Sequence, residues 1–162
     1  MATRKPSKPS PASPETQLAA FIAKFSPLVA ARAKAIRAAM RKRYPSALEL
    51  VYDNYNALAV GYAPAEKTSD GIFSIALYPK WVSLFFLQGK GLPDPSGILK
   101  GSGNVVRYVV LNSEKMLSDP AIEALMREAV ARARVPFSRD GKHRLIIKSI
   151  SAKQRPRRPA KS

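Results

Sequence analysis

Residues 72–87 read IFSIALYPKWVSLFFL, two short apolar runs joined by the tetrapeptide YPKW at positions 78–81. In the first run Phe73, Ile75 and Leu77 occupy every second position, which is the period of a β-strand. Proline in the second position of the tetrapeptide favours a tight turn, so the stretch predicts a β-hairpin. The second run is apolar at both alternating positions, and we therefore expect both faces of this strand to be largely covered.

Patterns on either side of the hairpin predict the remaining elements. Strands are predicted at residues 57–62 and 105–111, with a short edge strand at 144–150. A capping side chain followed by proline marks a helix start. This signature occurs three times, at Ser13-Pro14, Ser26-Pro27 and Asp119-Pro120.

The order of these elements predicts the fold class. Helices, four strands in succession and a final helix indicate an α+β fold. We expect a two-layer sandwich, with an antiparallel sheet of four or five strands and the N- and C-terminal helices on one face. Residues 15–150 would form this domain. Residues 1–14 and 151–162 are basic and proline-rich, and we expect both tails to be disordered.

Composition excludes several classes of site. The 162-residue chain has no cysteine, which excludes disulfides, thiolate metal ligands and cysteine nucleophiles. Its apolar runs are far shorter than the roughly 20 residues of a membrane-spanning helix. Proline and serine stand near the N-terminus where a secretory signal requires a hydrophobic run. We therefore expect a soluble cytoplasmic protein with no membrane partner.

The net charge of +17 is concentrated at the two ends of the chain. Residues 1–43 carry ten basic side chains and one acid, and residues 129–162 carry eleven and one. This distribution is typical of proteins that contact nucleic acid or another polyanion, although a purely solubilising role explains it equally well. The candidate contacts are Lys34, Arg37, Arg41, Arg155, Arg157 and Arg158.

Three sequence features are candidates for one small-ligand pocket. Residues 49–56 combine two acids, two amides and two tyrosines, residues 100–103 form a glycine-rich loop, and Arg107 falls on an apolar strand row. Each also has a structural interpretation. For the first it is a turn held by side-chain hydrogen bonds, and for the second a tight loop entering a strand. Arg107 would form an ion pair or extend its charge to solvent at a sheet edge. The candidate ligand-binding residues are Tyr52, Asp53, Asn54, Tyr55, Lys100, Gly101, Gly103 and Arg107.

No catalytic motif stands out. The single histidine, His143, has Lys142 and Arg144 as neighbours, a cationic setting that disfavours metal binding. A serine–histidine–acid triad would need a nucleophile in a recognisable context, which the sequence lacks. We therefore predict neither an enzyme nor a cofactor.

Three segments carry a resemblance to a known family: ELVYDNYNAL (49–58), WVSLFFLQG (81–89), and LPDP followed by LKGSG (92–95 and 99–103). Together with Arg107 and the helix start at Asp119, they resemble the YdhG-like bacterial domain family of unknown function. The resemblance extends over about residues 15–132 and implies an α+β sandwich.

Some members of that family are described as frataxin-like iron chaperones, which implies a third possible function. Such iron binding uses clustered carboxylates, and here only Glu49 and Asp53 are candidates. The second predicted helix is basic, with no acid between Glu15 and Glu49, so we predict no metal site. The leading hypothesis is a non-enzymatic module that binds a small ligand or a partner, with polyanion binding and iron chaperoning as alternatives.

Overall fold

The structure is a computed structural model that describes residues 12–160; predictions for residues 1–11 and 161–162 lie outside the described residues. The helices are α1 (Pro14–Ala23), α2 (Pro27–Arg43) and α3 (Pro120–Ala131). The strands are β1 (Leu48–Asp53), β2 (Leu58–Ala63), β3 (Phe73–Leu77), β4 (Val82–Phe86), β5 (Arg107–Leu111) and β6 (Leu145–Ile150). Two short 3-10 helices, Thr68–Asp70 and Glu114–Ser118, complete the described elements.

Each α-helix begins at a proline that follows a capping side chain, as predicted. Ser26 Oγ accepts a hydrogen bond from the Val29 N–H at 3.3 Å, and Asp119 Oδ1 accepts one from the Ala121 N–H at 2.9 Å. These bonds satisfy backbone donors that have no partner within the helix. None of the helices in residues 12–160 combines the length and apolarity needed to cross a membrane.

The six strands form one sheet in the order β5-β4-β3-β2-β1-β6. All neighbouring strands are antiparallel except β1 and β6, which are parallel. The predicted hairpin is present, and the Tyr78 N–H donates to the Trp81 carbonyl oxygen at 2.9 Å. The α+β class is confirmed. The prediction of four or five antiparallel strands is wrong, because the sheet has six strands and is mixed.

The sequence does not predict strand β1, because the acids of this strand interrupt its apolar pattern. Its sequence LELVYD places Glu49 and Asp53 on the same face as Val51, and all three are buried. A buried acid needs compensating partners, and those partners lie far away in the sequence. Local periodicity alone therefore indicates a polar segment here rather than a buried strand.

One face of the sheet forms the main core with the helices, and we call it the inner face. Ile75 and Leu84 from the strands share this core with Ile36 from α2 and Leu125 from α3. Each fully buried aliphatic side chain of this kind stabilises the fold by about 1.5–3 kcal/mol. We call the opposite side of the sheet the outer face.

Residues 151–160 lie against the domain, which differs from the disordered tail that the sequence predicts. Arg157 is 6% exposed and donates to Asp53 Oδ1 at 2.9 Å and to the carbonyl oxygen of Asn54 at 2.5 Å. Its guanidinium also lies 5.6 Å from the centre of the Phe25 ring. The segment is ordered because it supplies the counter-ion of a buried acid, a requirement that composition does not reveal.

Candidate functional site

The residues predicted to form one ligand pocket lie in two separate places. Tyr52 and Asp53 end β1, and Asn54 and Tyr55 follow in the turn to β2. The loop at 100–103 lies beside β5, since Lys100 forms an isolated bridge with Tyr108. Three strands separate β1 from β5, which corresponds to about 19 Å across the sheet. The structure therefore does not bring the two groups together.

Arg107 holds the glycine-rich loop in place. Its NH1 group donates to the carbonyl oxygens of Gly103 at 2.6 Å and Val106 at 2.8 Å. Gly101, with φ at +114°, provides the backbone turn that lets this loop fold back. The structure thus gives Arg107 backbone partners rather than a carboxylate, and its place on the edge strand β5 agrees with the alternative of a charge at a sheet edge.

A cluster that the sequence does not predict surrounds Glu49 on the inner face. The Glu49 side chain is fully buried and accepts two hydrogen bonds from Arg37, one from Nε to Oε2 (2.9 Å) and one from NH2 to Oε1 (2.7 Å). The Tyr62 hydroxyl donates to Oε2 at 3.0 Å, and His143 Nε2 lies 2.6 Å from Oε1. Four donors therefore converge on one carboxylate, and their charge and polarity offset the cost of its burial.

The tautomer of His143 follows from its two neighbours. Arg41 NH2 lies 3.3 Å from Nδ1. A guanidinium only donates hydrogen bonds, so Nδ1 accepts and the Nε2 proton is directed at Glu49. The imidazole thus bridges a cation and an anion and has no ring nitrogen left for a substrate.

Electrostatics keep Glu49 and Tyr62 each in one protonation state. Burial by itself would raise the pKa of Glu49, but hydrogen bonds and charge from Arg37, with smaller contributions from His143 and Tyr62, hold that pKa below its usual value. Burial, reinforced by the negative charge of Glu49, raises the pKa of Tyr62 well above its usual value. Glu49 is therefore ionised and Tyr62 neutral throughout the physiological pH range.

The same cluster contains a set of possible metal ligands. Glu15, Glu49 and His143 each offer an atom within 4.8 Å of the others. However, Arg37 bonds to both carboxylates, with NH2 at 2.9 Å from Glu15 Oε1, so a metal cation would have to displace a guanidinium. Asp53, the other predicted iron ligand, is four residues further along β1, about 13 Å away, and pairs with Arg157.

Of the six cations predicted to contact a polyanion, three pair with buried acids. Arg37 and Arg41 belong to the Glu49 cluster, with Arg41 Nε at 3.8 Å from Glu49 Oε1, and Arg157 pairs with Asp53 at 2.9 Å. The side chain of Arg41 is nevertheless 44% exposed, and the remaining three cations are exposed as well: Lys34, Arg155 and Arg158. Buried, paired guanidiniums are poor polyanion contacts, which narrows the predicted set.

The outer face carries a depression that none of the three α-helices covers, and we call it the outer groove. Its floor consists of small side chains, and its main cavity measures about 520 Å³. A second cavity of about 270 Å³ shares Ser74 and Leu87 with the first, so the two are adjacent. The main cavity is lined by residues 54–57 and by Ala59, Ser74, Ala76, Tyr78, Phe85, Leu87 and Ser151.

Two aromatic wall residues of the outer groove, Tyr78 and Phe85, each stack on a ring next to the groove. Tyr78 stacks on Trp81 with ring centres 5.1 Å apart, and Phe85 stacks on Tyr108 at 5.2 Å. Burial, with a smaller effect from Tyr108, raises the pKa of Tyr78, so its hydroxyl remains a donor. Tyr55, which lines the main cavity, is 48% exposed. Trp81 lies at the edge of the groove, behind Tyr78, and is 42% exposed.

The sequence does contain a signal for the outer groove. Small residues occupy outer-face positions on three neighbouring strands, and side chains too short to fill the space above the sheet leave a depression. On β4 the expectation that both faces are largely covered is confirmed, since only Phe85 is partly exposed and Ser83 is fully buried. The small residues are Ala59, Gly61 and Ala63 on β2, Ser74 and Ala76 on β3, and the covered Ser83 on β4.

A further cleft of about 350 Å³ lies between the end of α3 and residues 69–72. Arg132 in its wall already donates to Glu128 and to the carbonyl oxygen of Gly91, both at 2.8 Å. This cation is therefore occupied by the protein itself, and the outer groove is the stronger candidate for a binding site.

Comparison of the chain with protein-family models, with curated proteins and with solved structures gives no match. The resemblance to the YdhG-like family thus stays a prediction, and the outer groove and the buried clusters are the features that bear on function.

Proposed function

We propose that this protein is a non-enzymatic binding module and that its ligand occupies the outer groove. The observation that carries this proposal is a sheet face that no α-helix covers, with two adjacent cavities, small residues on the floor and aromatic rings on the wall. Binding sites are typically concave, largely apolar and edged by a few polar groups. Asn54, Asn56 and Ser151 supply such polar groups at this rim.

The acid–base residues of the inner face support a binding rather than a catalytic role. Glu49, His143 and Tyr62 are hydrogen-bonded to one another or to arginines. A general base needs a lone pair within reach of its substrate, and here the lone pairs are directed at protein donors. Within this proposal the chain is a cytoplasmic YdhG-like domain, and its cluster stabilises the fold.

The test uses the fluorescent probe 1-anilinonaphthalene-8-sulfonate, whose fused rings and sulfonate suit an aromatic groove in a basic protein. We expect the probe to gain fluorescence with the native protein and to lose that gain in Ala59→Phe, which fills the cavity. Ala20→Phe on the exposed side of α1 is the matched control. A fluorescence gain that persists in folded Ala59→Phe would place the probe elsewhere and refute the assignment.

A further inference from the structure

The aromatic walls of the outer groove are suited to stacking. Tyr55 and Trp81 expose nearly half of their surfaces. Phe85 and Tyr108 form a partly buried stacked pair on the neighbouring strands β4 and β5. Every nucleic-acid base has a flat face that stacks on such rings, and proteins that bind single strands use this contact without strong sequence preference.

The charge around the main cavity of the outer groove has a single sign. The segments that line it, residues 54–59, 74–85 and 149–155, and the neighbouring segment 100–111 contain no aspartate or glutamate. The acid that precedes the first of them, Asp53, is buried on the inner face and paired with an arginine. In the second cavity the wall residues Thr68 and Gly71 flank Asp70. The exposed cations of the segments around the main cavity are Lys80, Lys100, Lys153 and Arg155.

Arg155 places a cation directly beside a stacking ring. Its guanidinium carbon lies 5.5 Å from the centre of the Tyr55 ring, and its backbone N–H donates to the Tyr55 carbonyl oxygen at 2.9 Å. The side chain is exposed and forms no ion pair within residues 12–160. An arginine held in this way can contact a phosphate while the neighbouring ring stacks on the attached base.

From this combination we infer that the outer groove binds single-stranded nucleic acid, with bases stacked on Tyr55 and Trp81 and phosphates contacted by Arg155 and neighbouring cations. The inference rests on the proposed binding function and names its ligand class. It places the polyanion on the outer face, away from the basic α2 helix that the sequence favours. An acidic peptide would satisfy the cations but would leave the exposed rings without stacking partners.

The test is fluorescence anisotropy with labelled oligo-dT and oligo-U of about 12 nucleotides, at about 50 mM and about 200 mM salt. Tyr55→Ala and Trp81→Ala should each weaken binding by roughly five- to 150-fold, the range for losing one base–aromatic stack. Arg155→Ala should weaken binding and reduce the salt slope by about 0.7, the value for one phosphate contact on a single strand. A duplex of the same length should bind less tightly, because its bases are not free to stack.

The controls are Leu28→Ala and Lys34→Ala, which remove an exposed apolar side chain and an exposed cation from α2. Both should leave binding unchanged, and circular dichroism establishes that every variant is folded. Equal binding of duplex, tighter binding of poly-glutamate, or loss of binding only in Lys34→Ala would overturn the inference. If oligonucleotides do not bind at low salt while the naphthalene probe still does so in an Ala59→Phe-sensitive way, the groove remains a binding site and only its ligand class is wrong.

Discussion

Replacing Glu49 with glutamine tests how much of the fold depends on the inner-face cluster. Glutamine has nearly the same shape, but it substitutes an NH2 donor for one carboxylate oxygen. In the native protein both oxygens accept from two donors each: Arg37 and Tyr62 at Oε2, and Arg37 and His143 at Oε1. In either orientation, the NH2 group of the glutamine amide would therefore face two hydrogen-bond donors instead of accepting from them, and Arg37 would lose its main counter-ion.

The expected cost follows from burial. The Glu49 side chain is fully buried, and that of Arg37 is 16% exposed. Removing one partner of a buried ion pair destabilises proteins by about 3–5 kcal/mol, because the remaining charge is left uncompensated. Since domains of this size unfold with about 5–15 kcal/mol, Glu49→Gln should lose a large part of the total stability. Glu15, on the same guanidinium, offsets little of this because its side chain is 52% exposed.

Urea unfolding at neutral pH, followed by circular dichroism, measures this free energy. Glu123→Gln is the matched control, since Glu123 pairs with Arg127 at 3.7 Å on the exposed surface of α3. An exposed helical pair of this kind contributes only about 0.3–0.5 kcal/mol. If Glu49→Gln cost no more than Glu123→Gln, the cluster would not be the stabilising unit that its geometry indicates.

Three other changes test separate parts of the structure. Arg157→Ala should lower the free energy of unfolding by about 3–5 kcal/mol, because it leaves Asp53 buried and unpaired; a melting temperature within one degree of the native value would contradict the observed position of residues 151–160. Gly89→Ala should lower the free energy of unfolding by about 1–3 kcal/mol, since the added methyl group would lie 2.6 Å from the Cβ of Arg107. Gly103→Ala is the control, because its methyl group would meet no atom within 4 Å, and its effect on stability should be close to zero. The native protein should also lose stability as pH falls below about 4.5. The pKa of Glu49 is lower in the folded protein than in the unfolded chain, so the ionised carboxylate stabilises the fold above that pH. This stabilisation is lost as Glu49 becomes protonated. Urea unfolding across this range should show a weaker acid dependence in Glu49→Gln.

The parts of the fold that could be predicted from sequence are those with local causes. A capping side chain and the following proline act within one helical turn, so the starts of α1, α2 and α3 are visible in the sequence. The hairpin of β3 and β4 is equally local, because alternation and a proline turn define it within residues 72–87. These predictions required no knowledge of distant residues.

The parts that could not be predicted depend on distant pairs. Glu49 bonds to Arg37, 12 residues before it, and to His143, 94 residues after it. Asp53 finds its counter-ion 104 residues later in Arg157. Without these partners β1 looks polar, its parallel neighbour β6 has no evident place, and the C-terminal segment resembles a disordered tail. The sequence shows which residues are charged, but it does not show which of them pair in the folded protein.

The two faces of the sheet separate stability from binding, and the separation can be measured. Glu49, on the inner face, lies at the opposite end of β1 from the turn that carries Tyr55, more than 13 Å away along the strand. Changes at sites this far apart, with no shared partner, normally add within about 0.3–0.5 kcal/mol. The stability lost in a Glu49→Gln/Tyr55→Ala double variant should therefore equal the sum of the two single losses, while probe or oligonucleotide affinity should change only with Tyr55. Coupling above 1 kcal/mol would mean that the inner cluster and the outer groove act as one unit, and the groove could then not be assigned an independent binding role.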